Sequence, residues 1–200
     1  MDLELQGKCA IVTGGTRNLG RAISLGLLRE GANVVATYLQ DVASAEKFLA
    51  AIPVNRKDNI RIQKLDVSLD AACKKACSIA QSEFGRLDIL VNNAAIIYRQ
   101  SFNEITDDDF DFVLRNDLRG TLYMSRAAFT VMKSAGGGRI VNISTAGVYT
   151  GNPVELLYLC AKGGVEAATR AFARAGAPLK ITVNAIAPHI IDSGMGEKRT

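Results

Sequence analysis

The stretch Thr13-Gly14-Gly15-Thr16-Arg17-Asn18-Leu19-Gly20 follows the apolar run Cys9-Ala10-Ile11-Val12 and opens a segment whose apolar spacing reads as a helix over 18–30. A buried strand that turns through glycines into a helix restricts a chain severely. Backbone N–H groups are left pointing outward at the helix start, and with the positive end of the helix dipole they form a seat for phosphate. Gly14 permits a sharp turn where a Cβ would clash, and Gly20 lets the helix lie close on the strand behind it. An ordinary glycine-rich connection looks similar in isolation. Its meaning here depends on the rest of the chain.

That rest repeats the same alternation. Apolar, β-branched runs at 8–12, 33–37, 60–65, 87–91, 139–143 and 180–185 read as strands. Between them lie helical patterns at 18–30, 41–51, 69–84, 106–133 and 154–175, with a break expected at Gly120. Strands alternating with helices imply a parallel sheet covered on both faces, a doubly wound α/β fold of the Rossmann type, here with six strands. One domain is expected over 1–200. In such sheets ligands lie beyond the carboxyl ends of the strands. Polar clusters follow those ends at 13–20, Asp66, 92–95, Ser144-Thr145 and 188–193, which together point to a functional cleft.

Composition narrows the function classes. Hydrophobic residues make up 48% and charged residues 22%, enough for a sizeable core. The net charge of +4 is spread without a Lys/Arg run or a basic stripe interleaved with aromatics, so nucleic acid is not an expected partner. No apolar run reaches the ~18 residues needed to span a bilayer. The opening Met1-Asp2-Leu3-Glu4 lacks the charged-then-apolar pattern of a signal peptide. No membrane partner and a cytoplasmic location are therefore expected. Cys9, Cys73, Cys77 and Cys160 read as buried, reduced thiols. Cys73 and Cys77 share a helix face, but no Cys/His cluster completes a site and His189 is the single histidine, so no metal is expected.

Taken in order, the motifs resemble those of the short-chain dehydrogenase/reductase family over essentially the whole length. The family's T-G-x-x-x-G-x-G matches at Thr13, Gly14 and Gly20, with Asn18 where the middle glycine belongs. Its N-N-A-G appears as Asn92-Asn93-Ala94-Ala95, and its Y-x-x-x-K as Tyr158 and Lys162. The run Val183-Asn184-Ala185-Ile186-Ala187-Pro188 matches the sixth-strand signature. Within the family the chain looks most like the 3-oxoacyl-carrier-protein reductases and their relatives. The resemblance implies an oxidoreductase that transfers a hydride between NADP(H) and a carbonyl or secondary alcohol. It also implies a small-molecule or carrier-bound substrate and a homo-oligomer, dimer or tetramer. Relatives continue past the position of Thr200 into a substrate lid and a seventh strand, so this chain is expected to lack both.

Tyr158 and Lys162 stand four apart, on one face of a predicted helix. A phenol near pKa ~10 is a poor acid–base catalyst at neutral pH, and a nearby ammonium favours its ionised form. The resemblance assigns Tyr158 as proton donor to the substrate carbonyl. It assigns Lys162 to lowering the phenol's pKa and holding the nicotinamide ribose. The family's serine, thirteen residues before the tyrosine, is Thr145 here; it keeps a hydroxyl donor but adds a methyl. Ser144 is the alternative, although alternation along an extended segment turns it to the other side. Asn116 matches the family's helix asparagine, which anchors a water linking the lysine to a proton relay.

The cofactor set implied by the resemblance begins with Gly14, Thr16, Arg17, Asn18 and Leu19 in the turn and Tyr38 at the end of the second strand. Asp66 and Val67 would border the adenine, and Asn93, Ala94 and Ala95 would support the cleft. Tyr158 and Lys162 complete it with Pro188, Ile191 and Ser193 after the sixth strand, Ser193 near the nicotinamide amide. An acid at the end of the second strand would accept from a ribose 2′-hydroxyl and repel a 2′-phosphate. Tyr38 holds that position, and Arg17 lies where NADP-using relatives place a phosphate-binding arginine, so NADP(H) is expected over NAD(H). Departures at Asn18, Thr145 and His189 motivate one alternative, a catalytically weak nucleotide-binding sensor or structural protein of the same fold.

Overall fold

Cys9–Val12 (β1), buried at all four positions, runs through the middle of a parallel sheet in the computed structural model, which describes residues 2–191. Asn33–Tyr38 (β2) and Ile60–Lys64 (β3) extend the sheet on one side. Ile89–Asn92 (β4), Gly138–Ile143 (β5) and Ile181–Ile186 (β6) extend it on the other, giving the order β3-β2-β1-β4-β5-β6. Val12 pairs with Ala36 on one flank and Val91 on the other. Strand order therefore reverses about β1, which opens a crevice beyond the carboxyl ends of β1 and β4. The doubly wound fold expected from the alternation is the one observed.

Adjacent residues of each strand feed opposite faces. Ile11, Leu90 and Ile140 pack against Asp70–Phe84 (α3) and Gly120–Ser134 (α5), through Cys73, Cys77, Met124 and Met132. Val12, Val34 and Ile60 pack against Asn18–Arg29 (α1) and Val42–Ala50 (α2), through Leu28 and Phe48. Each such side chain removed from water stabilises by roughly 1.5–3 kcal/mol. A third cluster, Val113, Leu157 and Ala161, joins Asp107–Val113 (α4) to the long helix Leu156–Gly176 (α7). A short helix, Gly147–Thr150 (α6), follows β5. No helix among the described residues is long and apolar enough to cross a membrane.

Two sequence expectations need correction. The irregularity placed at Gly120 lies earlier: α4 widens into a π-type turn over Leu114–Arg119, and Gly120 itself is helical. Glycine is required there for a different reason, because a Cβ would come within 2.6 Å of the Val67 side chain. Cys160 is exposed on α7, whereas Cys9, Cys73 and Cys77 are buried as expected.

Candidate active site

The turn from β1 into α1 is built as the sequence suggests, with one substitution of means. Gly14 (φ 62°) and Asn18 (φ 49°) both occupy the left-handed region. Asparagine enters that region more readily than most residues, so Asn18 provides the backbone path that a glycine would otherwise take. A Cβ at Gly20 would run into the Gly14 carbonyl oxygen and lie 2.6 Å from the Asn93 amide nitrogen. The Thr13 hydroxyl accepts the Asn93 and Ala94 N–H groups, each at 2.9 Å. In return the Asn93 side chain donates to the Thr13 and Gly14 carbonyls at 2.9 and 3.3 Å. The glycine turn and the loop after β4 are thus one stapled unit. Two of its N–H groups are already used, Gly14 on the Thr37 hydroxyl at 3.2 Å and Gly15 on the Thr37 carbonyl at 2.8 Å.

Beyond these strand ends lies a cleft of about 480 Å³, a size suited to a small organic ligand. It brings together Gly14, Thr16, Arg17, Asn18, Leu19, Tyr38, Val67, Asn93, Ala94 and Ala95, with Asn116 at its far wall. Thr37, Gln40, Asp41, Leu65, Ile96 and Phe112 also line it, none of them singled out by the sequence. Asp66 stands apart from the lining, its carboxylate accepting the Ser68 N–H at 2.9 Å. The Pro188 carbonyl accepts the Ala146 N–H at 2.8 Å, which ties the segment after β6 to that after β5. Ile191 is exposed, and Ser193 lies outside the described residues. At the rim the Arg17 guanidinium pairs with Asp41 at 3.4 Å. Asp41 also caps α2 by accepting the Ser44 N–H at 2.9 Å; these bonds, followed by Arg17, hold its carboxyl below the usual range. A second cavity, of about 450 Å³, lies at the opposite end of the sheet. There Arg86 is locked on Asp88 and Arg139 on backbone carbonyls.

α7 carries Tyr158 and Lys162 to the carboxyl end of β5; neither is among the residues lining the cleft at the glycine turn. Lys162 is only 2% exposed; its Nζ donates to the Ile143 carbonyl at 2.7 Å and lies over the Tyr158 ring, 5.6 Å from the centroid. Burial pushes the lysine below its ordinary value, and the Asp117 carboxylate opposes that. Asp117 is wholly buried in the π-type turn, with Oδ1 accepting the Ile96 N–H at 2.8 Å. Burial lifts its carboxyl to about 6, against the pull of Lys162 and of the Ile96 bond. The neighbouring Asn116 is half-buried, and its amide donates to the Phe112 carbonyl at 2.7 Å. Asp117 acts on the lysine through its charge, and Asn116, one residue before it on the turn, lines the cleft.

The expected lowering of the phenol is also reversed in the protein alone. Tyr158 is pushed up to about 12, first by burial, then by the Asp117 and Glu155 carboxylates, with Arg99 opposing. The two hydroxyls after β5 divide as alternation requires. Ser144 is buried and donates to Glu166 at 2.7 Å, where Tyr149 donates to the other oxygen at 2.7 Å. Thr145 is half-buried and accepts the Gly147 N–H at 3.2 Å, which leaves its proton available to another acceptor. Behind them, Asn92 donates to Ser125 (2.9 Å) and Asn142 (2.8 Å), and Asn142 donates to Thr169 (2.8 Å). This buried chain pins α5 and α7 to β4 and β5. Only Asn92 had a signal in the sequence, as the first residue of its Asn-Asn-Ala motif.

A family model described as short chain dehydrogenase matches residues 8–200. The chain belongs to the short-chain dehydrogenase/reductase family. It is 36% identical to versicolorin reductase 1 of Dothistroma septosporum over 194 residues, 97% of this chain and 73% of that protein. It is 36% identical to acetoacetyl-CoA reductase of Shinella zoogloeoides, covering 94% of this chain and 76% of that one. Identity to a 3-oxoacyl-[acyl-carrier-protein] reductase of Pseudomonas aeruginosa is 37%, covering 96% and 77%. Among solved structures, a crystal structure described as a short-chain alcohol dehydrogenase of Sinorhizobium meliloti superposes with a TM-score of 0.90 at 31% identity, covering 98% of this chain and 77% of that one. As a short-chain dehydrogenase, the protein is an oxidoreductase of carbonyl and alcohol groups from a family that uses nicotinamide cofactors.

Proposed function

We propose that this short-chain dehydrogenase is an NADPH-dependent carbonyl reductase in which Tyr158 exchanges a proton with the substrate oxygen. The observation that carries the reading is the buried Lys162 seated over the Tyr158 ring at the carboxyl end of β5. A buried ammonium is costly unless its position is used or compensated. Thr145 donates to the substrate oxygen, Tyr158 protonates it as negative charge develops, and Lys162 holds positive charge beside them. The turn residues fit a dinucleotide: the left-handed Gly14 and Asn18, the missing Cβ at Gly20, and an apolar wall at Leu65 and Val67. When bound, the nicotinamide supplies the hydride. The names of the acetoacetyl-CoA and 3-oxoacyl relatives favour a small-molecule or carrier-bound ketone as substrate. Exposed Phe110 and Leu156 on α4 and α7 suit a homo-oligomer, dimer or tetramer. A panel of ketones with NADPH and NADH tests the reading: NADPH oxidation is expected with at least one ketone. Tight NADPH binding with no oxidation across the panel would leave a nucleotide-binding protein without this activity.

Arg17 and Asp41 carry the cofactor preference in this reading. A guanidinium at the rim suits a phosphate dianion, and a charge-assisted bond is worth roughly 1.5–3 kcal/mol. Arg17→Ala is expected to raise the KM for NADPH about tenfold while moving that for NADH little. Asp41 competes for the same guanidinium, so Asp41→Asn, which keeps the α2 cap, is expected to lower the NADPH KM a few-fold. Steady-state kinetics with both cofactors checks the pair; equal effects on NADH and NADPH would remove the 2′-phosphate role.

A further inference from the structure

The segment that follows β5 is gripped by one row of α7 side chains. Tyr158, Lys162 and Glu166 stand at four-residue intervals on that helix, so they share a face. Lys162 holds the Ile143 carbonyl at 2.7 Å. Glu166 accepts the Ser144 hydroxyl on Oε1 and the Tyr149 hydroxyl on Oε2, each at 2.7 Å. Ser144 and Tyr149 flank Thr145, on either side of the turn that carries it. Glu166 and Ser144 are both buried, and a buried carboxyl is costly unless its oxygens are paired. Tyr149 is largely exposed, yet its hydroxyl reaches in to the same carboxyl. Between the two flanks the turn is held by short backbone bonds. The Val148 N–H donates to the Thr145 carbonyl at 3.2 Å and the Tyr149 N–H to the Ala146 carbonyl at 3.0 Å. A Cβ at Gly147 would come within 2.8 Å of the Leu159 side chain, so α7 lies close on this turn.

We propose that Glu166 is a positioning residue for Thr145: by holding Ser144 and Tyr149 it clamps both ends of the turn between them and fixes where the Thr145 hydroxyl stands. This rests on the reductase reading for its consequence in turnover, though not for the clamp itself. The division of labour between the two hydroxyls after β5 follows. Ser144 gives its proton to the clamp, and Thr145, whose oxygen takes only the Gly147 N–H, keeps its own for a substrate oxygen. Without the carboxyl, Ser144 loses a buried partner and the Tyr149 hydroxyl is released to water. The turn is then left to its backbone bonds, and a hydroxyl misplaced by about 1 Å can cost ~10²-fold in rate.

Variants of the full chain test this. Glu166→Met keeps the side chain's length but holds neither hydroxyl, whereas Glu166→Gln can accept from one and donate to the other. With NADPH and an accepted ketone, Glu166→Met should lower kcat by about 10–10²-fold and leave the NADPH KM unchanged. Glu166→Gln should restore most of that loss. In a Thr145→Ala background Glu166→Met should cost nothing further, because the group it positions is gone. An equal loss in both backgrounds, or no loss in either, overturns the proposal. If Glu166→Met does not fold, Tyr149→Phe decides in the same two backgrounds, since it removes one arm of the clamp at an exposed ring. A loss of a few-fold is then expected with Thr145 present and none without it. If no ketone is reduced, the reductase reading fails and the clamp is judged without cofactor. Amide hydrogen exchange at Val148 and Tyr149 should quicken about tenfold in whichever variant folds. Unchanged exchange there overturns the proposal.

Discussion

Tyr158→Phe is expected to lower ketone reduction by roughly 10²–10⁴-fold while NADPH binding stays close to wild type. The substitution keeps the ring that lies under the Lys162 ammonium and removes only the hydroxyl, so packing on α7 is retained. The loss should appear in kcat rather than in cofactor affinity, because the proton is needed as the carbonyl oxygen takes on charge. The sign of the phenol's shift adds a pH signature. With its pKa up at about 12, Tyr158 holds its proton through the neutral range and is ready for reduction. Alcohol oxidation needs the ionised phenol, so its rate should climb about tenfold per pH unit through the neutral range. NADPH emission follows binding directly, and absorbance loss follows turnover. Full turnover by Tyr158→Phe would remove the tyrosine from the mechanism.

Gly20→Ala is expected to abolish dinucleotide binding and to destabilise the fold at or above the usual overpacking cost of about 1–3 kcal/mol. The new methyl meets the Gly14 carbonyl, which is backbone, and the Asn93 amide, which is itself tied to Thr13 and Gly14. Neither can move without opening the unit that joins β1 to β4. Gly26→Ala on the same helix is the control: nothing lies within 4 Å of the added Cβ. Helix propensity should there stabilise by about 0.5–1 kcal/mol. Urea unfolding and NADPH titration separate the two variants. A Gly20→Ala chain that binds and unfolds like wild type would mean that α1 does not lie this close to β1.

Where a property depends on neighbours in sequence, reading the chain was enough. The β-branched runs marked the strands, and their alternation with helices required a parallel sheet. Thr13–Gly20 had the spacing of a strand-to-helix turn, and Asn18 could enter the left-handed region without help from elsewhere. Four residues on a helix put Tyr158 and Lys162 on one face, and strand alternation separated Thr145 from Ser144. Properties set by distant segments were not legible. Helical phase carried forward at 3.6 residues per turn does not foresee a π-type turn at Leu114–Arg119, which admits an extra residue per turn. Within that turn it is Asp117 that comes to the lysine. The upward direction of the Tyr158 shift comes first from burial, which only packing creates, and then from that same carboxylate, far away in the chain. Thr37, too, claims the Gly14 and Gly15 N–H groups only because β2 lies beside β1. By itself the sequence determined the fold, the turn and the tyrosine–lysine pair, since each follows from local periodicity and backbone freedom. The tertiary structure decided which charges meet behind Tyr158, because electrostatics in a buried site depends on distance through space and on exclusion of water.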